Sequence, residues 1–91
     1  MKNIKELSKF IHKVKTEDEV FQLISELLTD SELSVLSKRW RILNMLNSGF
    51  TQREISKELG VSLCKVTRGS KILKDETSVI KQYLKGDNYD K

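Results

Sequence analysis

Between Thr51 and Lys74 the chain carries six cationic side chains (Arg53, Lys57, Lys65, Arg68, Lys71 and Lys74) against two carboxylates, Glu54 and Glu58, a local net charge of +4. The whole chain of 91 residues holds 17 basic and 13 acidic side chains, again +4, so the remainder balances at 11 against 11. Cations gathered on one segment do the chemistry of anion binding: they neutralise phosphates and release condensed counterions. The segment itself, TQREISKELGVSLCKVTRGSKILK, reads as two short helices joined at Gly60, the second basic and free of acid. That is the pattern of a helix-turn-helix, which lays its second helix into the DNA major groove.

At about 100° per residue, Leu63, Val66, Ser70 and Leu73 cluster on one side of the second helix and are expected to face the core. Cys64, Arg68 and Lys71 lie opposite, flanked by Lys65, Thr67 and Ile72. Ser62 is a good N-cap, but Lys65 in the first turn opposes the helix dipole, at a cost of roughly 0.3–1 kcal/mol. A DNA phosphate at that end would reverse the sign of the effect. For Lys65 alone a solvated surface lysine is the plainer reading. For Ser62, Lys65 and Thr67 together with Gln52 and Arg53, DNA is the better one. Gly69 inside a helix costs about 1 kcal/mol relative to alanine; either a closely packed helix or a ligand accounts for it. Arg68 beside it offers a planar fork suited to carboxylate or phosphate.

Other chemistries find little support. There is no nucleophile–base pair, no glycine-rich phosphate loop after a strand and no metal-ligand spacing, and His12, the sole histidine, has no catalytic companion in sequence. An enzyme is not expected. Cys64 is the only cysteine, which excludes an intramolecular disulfide and fits a reducing cytoplasm. A redox role for its thiol is the minor alternative to a plain surface residue. Charge interrupts every apolar stretch, so neither a membrane span nor a signal peptide at MKNIKELSKF is expected.

The elements that must position these residues all read as helices. The chain has no proline and only four glycines, too few turn residues for a hairpin-rich protein. Thr16/Glu19, Thr29/Glu32 and Thr51/Glu54 each fit a capping box ahead of apolar residues at helical spacing. Helices are expected over about Asn3–Lys15, Glu17–Leu28, Asp30–Asn47, Gln52–Leu59, Leu63–Lys74 and Ser78–Lys85. The third is the longest, with a seam of Leu33, Leu36, Trp40 and Leu43, so Trp40 is expected in the core. Gly49 and Gly86 are expected stops, and the tail from Asp87 is expected to fray. Helices one, two and six carry apolar faces too wide for so short a chain to cover easily. A partner subunit is one solution and a compact monomeric bundle the other.

The stretch from Leu28 to Lys74, about half of the chain, resembles the bacterial tryptophan repressors. The resemblance is carried by LTxxE at Leu28–Glu32, RxRI at Arg39–Ile42, QRE at Gln52–Glu54, LG at Leu59–Gly60 and TRGS at Thr67–Ser70. QRE and LG recur in many helix-turn-helix proteins; TRGS paired with an upstream RxRI is far more selective. The resemblance implies an all-α, six-helix intertwined homodimer with a helix-turn-helix head in each subunit, an architecture for which these repressors are a type example. It implies a single domain over 1–91, in which 1–48 and 77–86 dimerise and 51–74 reads DNA. It also implies L-tryptophan as corepressor, not a cofactor of catalysis. The indole would lie between Arg39 and Arg68, with Arg68 also pairing with the ligand carboxylate. Gly69 would clear space for the ring, Ile72 would stand beside the amino group, and backbone carbonyls near the partner's Glu26, Leu28 and Thr29 would accept from that group. The DNA-facing positions implied are Gln52, Arg53, Ser56, Lys57, Ser62, Leu63, Cys64, Lys65 and Thr67.

Two departures from the best-known members qualify the ligand and not the DNA. Ile72 stands where those members have a serine, and the link from Gly49 to Gln52 is one residue shorter. Three readings therefore compete: a tryptophan-dependent repressor on a two-fold operator; a related DNA-binding regulator that uses no tryptophan, or another indole ligand; and an interaction module whose basic face meets an acidic protein. Only the first two predict association with duplex DNA that weakens steeply with salt.

Overall fold

A computed structural model describes residues 1–87. The described residues form six helices and no strand: α1 (Lys2–Lys13), α2 (Glu17–Leu27), α3 (Asp30–Asn47), α4 (Gln52–Leu59), α5 (Leu63–Lys74) and α6 (Val79–Asp87). The all-α expectation holds, and α3, α4 and α5 have the bounds read from the sequence.

Caps explain those bounds. At α4 the Thr51 hydroxyl accepts from the Glu54 amide at 3.1 Å and the Glu54 carboxylate accepts from the Thr51 amide at 2.8 Å, a complete capping box. Thr29 and Glu32 make the same reciprocal pair at α3, at 3.2 and 2.8 Å. At α2 only half is made: Thr16 accepts from the Glu19 amide at 3.1 Å. Gly60 closes α4 at φ +64°, a left-handed conformation that penalises a Cβ, and Gly49 follows α3 at φ +97°.

Three helices, α1, α2 and α6, differ from their expected bounds. α1 stops at Lys13 because Val14 is already extended, at φ −73° and ψ 132°. α2 stops one residue early because Leu28 is extended as well, at φ −110° and ψ 147°. α6 begins after Ser78, whose hydroxyl accepts from the Lys81 amide at 3.1 Å as a cap. It then continues through Gly86 to Asp87, so Gly86 is not its stop. Of the expected frayed tail, residues 88–91 lie outside the described residues.

The chain divides into two compact units, Met1–Ser34 and Val35–Lys91. In the first, no residue is buried: α1 and α2 leave Ile4, Phe10, Phe21 and Leu27 more than half exposed. The second holds the core. Ile42 and Met45 of α3, Ile55 of α4 and Val66 of α5 pack together, with Leu46, Leu59 and Val61 around them. Ile55 and Val66 are fully buried. α5 packs against both α4 and α6, and Leu84 of α6 is buried.

Trp40 corrects an expectation. It is 55% exposed, so it is not part of this core. Leu63, also expected to face inward, is 46% exposed, because the inward stripe of α5 begins one turn later at Val66.

Candidate nucleic-acid interface and ligand pocket

The turn between α4 and α5 is held by both backbone and side chain. The Val61 amide donates to the Ser56 carbonyl at 3.2 Å, the Gly60 amide donates to the same carbonyl, and the Ser56 hydroxyl donates to the Val61 carbonyl at 2.6 Å. Ser56 was read as DNA-facing; its proton is engaged in the turn, leaving its oxygen only as an acceptor.

Across the pair, Thr67 Oγ1 of α5 lies 2.9 Å from Gln52 Oε1 of α4 and 3.0 Å from the Leu63 carbonyl. Its single proton serves one of them at a time. This contact ties the first turn of α4 to the second turn of α5. Ser62 caps α5, accepting from the Lys65 amide at 3.4 Å.

All nine residues expected to face DNA lie on α4, α5 or the link between them, and none is buried. Arg53, Lys57, Ser62, Leu63, Cys64 and Lys65 are exposed; Gln52, Ser56 and Thr67 are half-buried. Cys64 is a free, exposed thiol. Leu63, Cys64, Thr67, Arg68, Lys71 and Ile72 border an open depression of about 600 Å³ along α5.

A second, smaller pocket of about 220 Å³ lies between α3 and α5, with Ile80 of α6 at its edge. Leu36, Arg39, Trp40 and Leu43 approach from α3, and Lys65, Arg68, Gly69 and Ile72 from α5, with Ile42 also in the lining. These are two stripes at i, i+3, i+4 and i+7, one on each helix. Arg39, Arg68, Gly69 and Ile72, singled out in sequence for a ligand, therefore share one cavity. Its character is an apolar slot with three cations, and among the described residues no carboxylate lines it. Such a slot suits a flat apolar ring carrying a negative group, since guanidinium planes stack on aromatic faces. The volume is below the roughly 300–1,000 Å³ of drug-sized sites.

Gly69 is buried here for a packing reason. A Cβ at this position would stand 3.0 Å from Ile42 Cγ2 and 3.3 Å from Leu46 Cδ1. The glycine lets α5 approach α3, and that approach shapes the pocket.

Glu26, Leu28 and Thr29, the remaining residues named for the ligand, belong to the first unit. The Glu26 carboxylate accepts from Gln22 Nε2 at 2.8 Å, and the Thr29 carbonyl accepts from the Leu33 amide at 2.9 Å. One of the three carbonyls thus already serves the first turn of α3.

Sequence reasoning missed Trp40, Lys65 and Ile80 as pocket residues. For Lys65 a signal existed: it stands three residues before Arg68 and seven before Ile72. It missed also the turn at Asp75, whose Oδ1 accepts from the Thr77 amide at 2.9 Å and the Thr77 hydroxyl at 2.7 Å. The Thr77 hydroxyl, then its amide, hold the Asp75 carboxyl below its ordinary value of 3.8. This turn connects α5 to α6.

A model of the Trp repressor protein family matches residues 2–88. A Trp operon repressor homolog of Xylella fastidiosa is 39% identical over 80 residues, covering 87% of this chain and 85% of the relative. Homologs of the same name from Chlamydia caviae and Vibrio campbellii are 35% and 42% identical over 77 and 64 residues. Those two alignments cover 84% and 69% of this chain, and 76% and 64% of the relatives. The chain belongs to the Trp repressor family. It is thereby a transcription regulator and not an enzyme. No helix among the described residues is long and apolar enough to cross a membrane.

Proposed function

We propose that this chain is a tryptophan-dependent transcriptional repressor acting in the cytoplasm as a homodimer on a two-fold-symmetric operator. The observation that carries the ligand reading is the slot between α3 and α5, with Arg39 on one wall and Arg68 on the other. L-Tryptophan enters as a wedge: its ring lies between the two guanidinium planes, its carboxylate meets Arg68, and the partner's Glu26 and Leu28 carbonyls accept from its ammonium. Operator affinity then rises by the ligand's differential affinity for the DNA-competent arrangement.

The α4–α5 pair serves as the helix-turn-helix head. Arg53, Lys57 and Lys65 meet phosphates, and Gln52, Ser62, Leu63, Cys64 and Thr67 approach the groove. Residues 1–48 and 77–86 form the dimer. The exposure of Phe21, Ile4 and Phe10 supports this, since apolar surface of that extent is normally covered.

Isothermal calorimetry with L-tryptophan tests the ligand step. The expected result is saturable binding, one molecule per chain, lost in Arg68→Ala and Arg39→Ala. No heat from the wild type at millimolar ligand would remove the corepressor.

One observation favours a second reading. Ile72 puts an apolar wall in the slot. A regulator with that wall binds operator indifferently to tryptophan, or answers to another indole compound. A gel shift unchanged by tryptophan distinguishes this case.

A further inference from the structure

The slot holds a third cation that the two-arginine clamp leaves without a ligand role. Lys65 lines the same cavity as Arg39 and Arg68, on the stripe of α5 that also carries Arg68 and Ile72. The remaining lining is apolar or glycine, and among the described residues it contains no acid. Three cations around one apolar cavity each attract an anion that enters it. Lys65 is poorly placed in the absence of an anion: it stands in the first turn of α5, where no acidic residue offsets the helix dipole.

We infer that Lys65 is a specificity-determining residue of the ligand slot, pairing with the ligand's carboxylate beside Arg68, so that the site selects aromatic acids over their neutral counterparts. This rests on the ligand reading above and deepens it. It also gives Lys65 two anionic partners, the ligand carboxylate and a DNA phosphate, and so makes it the residue through which ligand charge bears on the DNA face.

The test is calorimetry on the full chain without DNA, using L-tryptophan and L-tryptophanamide, which differ only in the carboxylate. In the wild type the acid should bind more tightly than the amide. Lys65→Met should weaken the acid about five-fold, the upper end for an exposed ion pair, and leave the amide unchanged, so the preference narrows. Lys65→Arg should restore it. Lys65 is exposed, and a thermal melt no lower than that of the wild type establishes that the fold of each variant is intact. Equal loss of both ligands, or no loss of either, would overturn the assignment while leaving the arginine clamp in place. Binding of neither ligand to the wild type would overturn both the clamp and the assignment.

Discussion

Thr67 on α5 and Gln52 at the start of α4 meet side chain to side chain at 2.9 Å, joining the two helices of the basic segment across fifteen positions of sequence. Gln52 and Thr67 are both half-buried, so the contact orients the helices as well as decorating their surface. Each residue was expected to face DNA individually. The contact joins them, although the Thr67 proton is shared with the Leu63 carbonyl.

Thr67→Val keeps the shape and removes the hydrogen bond. It should lower unfolding stability by about 1 kcal/mol and weaken duplex binding, while the slope of log affinity against log salt stays as in the wild type. Arg53→Ala should instead reduce that slope by about one. Fluorescence anisotropy across a salt series separates the two effects. Identical slopes for both variants would contradict the division between positioning and phosphate contact.

Gly69→Ala sets two forces against each other. Alanine gains about 1 kcal/mol of helix propensity, but its Cβ would sit 3.0 Å from the branched Cγ2 of Ile42, itself 3% exposed. A short, branched, buried side chain has little room to yield. Net destabilisation of about 1 kcal/mol is expected, because overpacking typically costs roughly 1–3. Urea denaturation measures it. A more stable variant would mean that α3 and α5 separate easily.

How far the sequence foretold this arrangement follows from the kind of signal each feature leaves. The bounds of α3, α4 and α5 were legible because their caps are local: Thr29/Glu32, Thr51/Glu54, Ser62 and the left-handed Gly60 act within four residues. The slot was legible in part, through Arg39 and Arg68. The second packed side of α5 was legible only as one of two readings of Gly69, a closely packed helix or a ligand. A helical wheel finds packing through apolar side chains such as Val66, whereas Gly69, which has none, also lies against Ile42 and Leu46 of α3. Trp40 misled for a related reason: its spacing matches the apolar seam of α3, yet a seam does not tell which of its residues a single chain covers. The Ser78 cap was missed because the residue three positions on is Lys81 and not a glutamate, so no capping box marks it, and the Asp75 turn was missed because a single Asp two residues before Thr77 is a weak signal.

The uncovered first unit predicts self-association. Sedimentation should give a species of twice 10.6 kDa, and Phe21→Glu, at a side chain 73% exposed in the single chain, should shift it toward monomer. Trp40, the only tryptophan, reports the same change by a red shift in its emission on dilution. A 10.6 kDa species at every concentration would contradict the dimer.

The Asp75 turn predicts a pH dependence of defined sign. The folded carboxyl titrates below 3.8 because the charged form accepts both Thr77 bonds. Its contribution to stability is therefore complete above that value and falls away as the pH drops through the lower folded midpoint. Carbon-detected NMR titration should place the Asp75 midpoint below 3.8, and Thr77→Ala should raise it. A midpoint unaffected by Thr77→Ala would show that those bonds do not hold the charge.

The most direct test of the central claim is a DNA-binding titration on a two-fold-symmetric duplex that the protein itself selects from a random pool, run with and without L-tryptophan. Binding should reach half-saturation at a markedly lower protein concentration when tryptophan is present, and Arg68→Ala should abolish the difference. Superimposable curves for the wild type would contradict a ligand held between Arg39 and Arg68 that governs the reading of DNA.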